Sequence, residues 1–292
     1  MRLGDEREST NVEDRRGGGR GGFGGGLPIR IAGGGLGGVV LLVVALLFGV
    51  DPSVLFSGGD PVDRRGAPTA QYAPAPEGQD GMRRFVAQVL ATTEDAWDGL
   101  FQEAGRRYDP PRLVLFSDQV RSACGMAGSA VGPFYCPADG KVYLDLAFFR
   151  DMQRQLGASG DFAWAYVIAH EVGHHVQREL GILQRVEQLR RGLPQAEANA
   201  LQVRVELQAD CFAGVWAHRA QAARNILERG DIEEGLAAAA AVGDDRLQRR
   251  TQGHVVPESF THGSSAQRVR WFRRGLESGD PRQCDTFAAA GR

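Results

Sequence analysis

The chain has 292 residues, 42% of them hydrophobic, enough for one sizeable core with some chain left over for a tail or anchor. Its formal net charge is −2 and its basic residues are scattered, so the totals exclude a general polyanion binder and give nucleic acid no support as a partner.

From Met1 to Pro28 the chain is charged and glycine-rich. Its "RRGGGRGGFGGG" lacks the apolar residues that would offset the entropy of ordering, which predicts a flexible tail over 1–28. Residues 29–50 then lose their polarity. The run "IAGGGLGGVVLLVVALLFGV" from Ile31 to Val50 carries no charge and, as a helix, spans about 30 Å, the thickness of a bilayer core. It predicts one transmembrane helix rather than a cleaved signal peptide, because no small-residue cleavage site closes it. Arg15, Arg16, Arg20 and Arg30 precede the run, whereas Asp51, Asp60 and Asp63 lie between it and the next cations, Arg64 and Arg65. That asymmetry predicts a cytoplasmic tail, with everything after Val50 on the periplasmic or extracellular side. Residues 51–79, rich in Pro, Gly and Ala, read as an extended linker, and the folded domain is expected over 80–292.

Within that domain, "DGMRRFVAQVLATTEDAWDGLFQEAG" has apolar residues at helical spacing after a capping Asp80. "RLVLFS" from Arg112 and "KVYLDLAFF" from Lys141 read as short strands of a small sheet. A helix follows in "GDFAWAYVIAHEVGHHVQRELG", with Asp161 as its expected N-cap. Further helices are predicted from Pro194 to Ala222, after an Asp231/Glu234 capping-box spacing, and through "SSAQRVRWFRRGLE". The fold class is therefore α+β, mostly helical with a small sheet.

Cys124, Cys136, Cys211 and Cys284 are four in number, and none has the C-x-x-C spacing of a structural zinc site. In a domain facing an oxidising compartment they read as disulfides. Of the three pairings, Cys124 with Cys136 closes a hairpin, and Cys211 with Cys284 ties the C-terminal segment to a central helix.

The densest chemistry lies in "HEVGHH". Residues four apart share a helix face, so His170 and His174 can offer two imidazoles to one Zn2+ ion. Glu171 is placed to act as general base toward a zinc-bound water. His175 points about 100° away from His174 and reads as a surface histidine or one that only supports the site. A third ligand is required. Glu206 in "RVELQADCFAGVWAH" supplies it, and Asp210, one turn on, can accept the free ring N–H of a ligand histidine, most naturally His170. Two acids in so apolar a helix are exceptional as mere surface charge.

"HEVGHHVQ" followed by "VELQADCFAGVWAH" resembles the gluzincin pattern of HExxH with a downstream ExxxD helix. More specifically it resembles the bacterial neutral zinc metallopeptidase family (YpfJ-like). "NVEDRRG", "VGPFYCPADGKVYLDLAFF" and "PESFTHGSSAQRVRWFRRGLESGDPRQCDTF" carry the likeness along most of the chain. The resemblance implies a zincin-like, minimal gluzincin domain acting on peptide or protein substrates. It also implies that the strand Lys141–Leu146 edges the cleft, where an extended peptide adds by backbone pairing.

Such sites add a residue that stabilises the oxyanion. His262 in "SFTHGSS" is the first candidate, with His254 or Tyr143 as alternatives, and His218 reads as a packing residue. Arg268, Arg270, Arg273 and Arg274 read as the solvated face of an amphipathic helix. The functional expectation is a membrane-anchored zinc metalloendopeptidase. The alternative is an envelope adaptor that binds zinc and peptides or partner proteins without turnover.

Overall fold

The computed structural model describes residues 1–16, 80–128, 132–157 and 160–288. The sequence-predicted span and linker lie outside these residues. Among the described residues no helix is long and apolar enough to cross a membrane.

Helix α1 (Asp80–Glu103) is followed by strand β2 (Arg112–Phe116), the hairpin β3 (Gln119–Ser122) and β4 (Gly125–Gly128), and strands β5 (Phe134–Cys136) and β6 (Lys141–Asp145). The second sequence-predicted strand is thus shorter than expected. Asp145 accepts the Ala147 amide, and the chain turns into a short helix α2 (Ala147–Asp151) and a π turn, Met152–Leu156. The motif helix α3 (Asp161–Glu179), α4 (Ile182–Arg190) and the long α5 (Gln195–Arg224) come next. Helices α6 (Asp231–Ala241), α7 (Asp244–Gln252) and α8 (Ser265–Ser278) complete the set, with 3-10 turns at Pro257–Ser259 and Pro281–Cys284.

The core forms where α1, α3, α5 and α8 meet. Val86, Leu90 and Trp97 of α1 face Phe162, Tyr166, Val172 and Val176 of α3, and Phe212, Val215 and Trp216 of α5. Trp97 meets Phe212 edge-on at 5.2 Å, Tyr166 meets Phe272 of α8 at 5.2 Å, and Phe162 stacks on Trp216. Two glycines set the helix approaches. A Cβ at Gly173 would lie 3.0 Å from the Ala209 carbonyl, and one at Gly275 would collide with the Cys211 carbonyl. Only glycine lets α3 and α8 come this close to α5. The disulfides are Cys124–Cys136 and Cys211–Cys284, the second tying the C-terminal turn to α5.

The N-terminal segment departs from expectation. Residues 1–16 are part of the folded domain, not a disordered tail. Strand β1 (Val12–Asp14) pairs in parallel with β2, Val12 opposite Leu113. Leu3 is buried in the main core, and Gln88 of α1 donates to the carbonyls of Leu3, Gly4 and Glu6. Ser9 and the Asn11 side chain both donate to Glu94. The Met1 amino group lies 2.7 Å from Asp161 and 3.3 Å from Asp231. Apart from Leu3, these contacts satisfy a polar segment by pairing rather than by apolar burial, which is why composition misled. They also bear on topology: one crossing by Ile31–Val50 would put β1 and β2 on opposite faces of a bilayer, and the two strands could not then pair.

The acids at the helix starts follow the same theme. Gly160 and Gly230, not Asp161 or Asp231, occupy the N-cap positions. Asp161 and Asp231 instead hold the Met1 amine, while Glu234 reaches across from α6 to accept the Phe162 amide in the first turn of α3.

The sheet order is β1-β2-β6-β5. β6 is therefore an interior strand, parallel to β2 on one side and antiparallel to β5 on the other. The expected cleft edge at Lys141–Leu146 is corrected accordingly: β1 supplies an extra strand at the far side, and the edge near α3 is β5.

Candidate metal centre

Two helices build the centre. His170, Glu171 and His174 project from α3, and Glu206 projects from α5, where the Gly173–Ala209 contact brings the backbones together. His170 Nε2 lies 3.2 Å and His174 Nε2 3.5 Å from Glu206 Oε2. One ligand atom from each of the three residues lies within 4.8 Å of the other two, and all three residues are buried.

Each ligand is held from behind. His170 Nδ1 lies 2.9 Å from Asp210 Oδ1, and a carboxylate only accepts, so Nδ1 carries a proton, and Nε2, which faces the Glu206 carboxylate, is the nitrogen left to offer a lone pair once a metal takes the place of its proton. His174 Nδ1 lies 2.9 Å from Gln177 Oε1. Gln177 Nε2 donates to Val205 O and Gln208 Oε1, which turns the amide oxygen toward His174 and selects the same tautomer. Gln202 donates to Glu206 Oε1, leaving Oε2 for the centre.

Glu171 is buried at the same place. Its carboxylate accepts the Tyr135 amide of β5, while its Oε2 has no hydrogen-bond partner among the described residues. Burial raises its pKa above the ordinary carboxylate range, against the pull of His170 and His174. Burial acts on the other groups too, but charge outweighs it. His170 is pushed up to about 9 by hydrogen bonds to Asp210 and Glu206 despite the lowering effect of burial. Glu206 lies well below its usual value, burial being overcome by the charges of His174 and His262. Three convergent lone pairs from two imidazoles and an ionised carboxylate, with a buried acceptor alongside, are a donor set that suits Zn2+.

His262 is brought to the same region. It is buried, and burial, which lowers its pKa, is outweighed by the Glu206 charge and by Asp244, so the pKa is raised. Asp244 accepts the backbone amides of Thr261, His262 and Gly263 and lies 3.5 Å from His262 Nδ1, so one carboxylate shapes the loop that presents the ring. The alternatives lie elsewhere. His254 is exposed, and its Nδ1 donates to the Gln252 carbonyl. Tyr143 donates to Asp139 and stacks on Phe134 in the second apolar cluster. His218 packs its Nδ1 against the Leu276 carbonyl.

The sequence of the "Putative neutral zinc metallopeptidase" family matches this chain over residues 1–287. The chain belongs to this family. Among family relatives, "Uncharacterized protein YpfJ" of Escherichia coli K12 is 52% identical over 98% of this chain and 99% of its own length. "Uncharacterized protein Rv2575" of Mycobacterium tuberculosis is 46% identical over 84% of this chain and 86% of its own length. No solved structure matches. As a member of the zinc metallopeptidase family the chain has Zn2+ as its metal, and His170, His174 and Glu206 form a group able to hold it.

One expectation narrows and another is overturned in this member of the family, the supporting role being the one that His175 fills. His175 is not a surface residue: it is 2% exposed, its Nε2 donates to the Asp109 carbonyl at 2.6 Å, and its Nδ1 accepts from the Tyr135 hydroxyl at 3.2 Å. It clamps β5, whose backbone touches Glu171, to the motif helix. Arg268 is not on a solvated face either, being 3% exposed and paired with Asp210, whereas Arg270, Arg273 and Arg274 are exposed. Sequence reasoning missed Gln177, Gln202, Gln208 and Asp244. A usable signal existed for the first two: Gln177 stands three residues after His174 and Gln202 four before Glu206, both on ligand-bearing faces.

Proposed function

We propose that this chain is a zinc-dependent endopeptidase that hydrolyses peptide bonds with Glu171 as general base. The observation that carries the reading is the buried Glu171 carboxylate, one of whose oxygens has no partner among the described residues, beside three converging ligand atoms. Bound zinc supplies Lewis acidity, polarising a carbonyl and making a water more acidic. Glu171 takes that water's proton and delivers it to the leaving amine. Burial favours this shuttle, because a carboxyl with a raised pKa holds the proton between the two transfers.

An extended substrate pairs with β5, whose far side has no partner strand among the described residues, and this puts its backbone beside Glu171. His262, whose pKa the Glu206 charge and Asp244 raise against burial, stabilises the negative charge that develops on the carbonyl oxygen by donating a hydrogen bond to it. The two disulfides favour an oxidising compartment, periplasmic or extracellular, for the folded domain, with Met1–Arg16 alongside it. The uncharged run Ile31–Val50 would tether that domain to a membrane by inserting into its apolar core.

Peptide-library cleavage by wild type and Glu171→Gln, with zinc content measured in both, tests the reading. Zinc-loaded Glu171→Gln is expected to lose cleavage by a factor of 100 or more, on the order of general-base effects. Equal rates would remove Glu171 as the base. A zinc-loaded wild type that binds peptides and cleaves none would instead favour the adaptor.

A further inference from the structure

Asp210, which holds the ligand His170, is itself held by a residue 58 positions away. Arg268 of α8 places Nε 2.9 Å from Asp210 Oδ2 and Nη2 2.8 Å from Asp210 Oδ1, a two-pronged pairing in which both side chains are buried. The same Nη2 donates to the Tyr166 hydroxyl at 3.2 Å and stands 3.4 Å from His170 Nδ1. Tyr166 donates to Asp210 Oδ1, the oxygen that His170 uses. Three donors therefore converge on Oδ1, while the second prong fills Oδ2.

We propose that Arg268 is a positioning residue for the metal centre, acting through Asp210 to aim His170 Nε2 at the zinc. The inference rests on the zinc-site reading above. Its physical basis is the fork. A carboxylate bonded to one histidine can turn about its own axis, and the ring then turns with it. Two parallel N–H bonds to a planar guanidinium remove that rotation, which a lysine ammonium, a point donor, cannot do. Arg268 also supplies the countercharge without which a carboxylate with no solvent exposure would be costly to bury. Its place is secured independently of the metal: α8 crosses α5 at Gly214 and Gly275 with backbones in contact, and Cys284, just beyond α8, is bonded to Cys211, next to Asp210. The C-terminal helix thus completes a site whose ligands all come from α3 and α5.

The test is zinc affinity, measured by chelator competition on the full chain, for wild type, Arg268→Lys, Asp210→Asn and the double variant. The visible spectrum of the cobalt-substituted proteins is recorded alongside. Arg268→Lys keeps the buried charge and is expected to fold, with both disulfides formed, yet to bind zinc about tenfold or more weakly, in the range for residues that orient ligands. Its cobalt bands should shift, and the double variant should bind no more weakly than Asp210→Asn alone. An Arg268→Lys protein with wild-type affinity and an unchanged cobalt spectrum would overturn the proposal, as would losses that simply add in the double variant. If lysine fails to fold, Arg268→Met combined with Asp210→Asn removes both charges together, and wild-type zinc affinity in that protein would equally overturn it. A wild type that binds no zinc would instead count against the zinc-site reading itself.

Discussion

His174 Nδ1 and Gln177 Oε1 lie 2.9 Å apart within one turn of the motif helix, and the Gln177 amide continues through Gln208 to the carbonyl of Cys284. The two imidazole ligands therefore have unlike supports. His170 leans on a charged group, Asp210, and His174 on a chain of neutral amides. Gln177→Leu keeps the volume and the helix but leaves the His174 N–H without an acceptor. It is expected to weaken zinc binding about tenfold or more in a chelator competition. Because no charge is stranded, the stability of the metal-free protein should fall far less than it would on losing Asp210. Undiminished zinc affinity would show that packing alone holds the His174 ring.

Much of this centre is written locally in the chain. His170, Glu171 and His174 share one helical face, Glu206 and Asp210 share another, and each spacing follows from the helical repeat. The cysteine pairs are likewise readable, since two lie close in sequence and the other two are left to each other, although Cys124–Cys136 ties the β3–β4 turn to the end of β5 and does not close a hairpin. What escapes is long-range pairing between polar groups. Nothing near Arg268 says that its guanidinium is buried on Asp210, because the three exposed arginines that follow give the helix an ordinary amphipathic look. The interior position of β6 was hidden for a similar reason. It depends on β5, a three-residue strand inside the turn-rich "GPFYCPADG" segment that only its antiparallel pairing with β6 makes recognisable.

The N-terminal segment makes its own prediction. Leu3 is 7% exposed in the core formed with α1, so Leu3→Ala leaves a cavity and should cost about 2 kcal/mol or more in urea unfolding. A loose tail would show no change. The same packing requires residues 1–16 and 80–288 to face one compartment. With a membrane-impermeant maleimide on intact cells, Asp5→Cys and Gln188→Cys, both at exposed positions, are expected to label alike. Labelling of Gln188→Cys alone would restore a single crossing between them and would mean that β1 does not pair with β2 in the membrane-bound protein.

His175 gives a pH signature opposite to that of a paired histidine. Burial pushes its pKa down from 6.5 to about 4, only partly opposed by the Asp109 carbonyl. A histidine depressed in the folded state takes up protons on unfolding wherever pH is between the two values. Its contribution to stability is therefore complete above about pH 6.5 and disappears as pH falls toward 4. The loss available from this one group is on the order of 3 kcal/mol. His175→Gln can still donate to Asp109 and accept from Tyr135, but it does not titrate. Denaturant unfolding of the metal-free wild type and variant from pH 7.5 to 4 should therefore show the wild type losing stability more steeply, by up to that amount. Because Tyr135 joins the His175 contact to Glu171, the variant's cleavage rate at pH 7.5 also reports whether β5 has kept its place. Parallel stability curves for the two proteins would mean that the ring is already protonated or solvated in the native state, and the clamp between β5 and the motif helix would have to come from Tyr108 and Tyr135 packing alone.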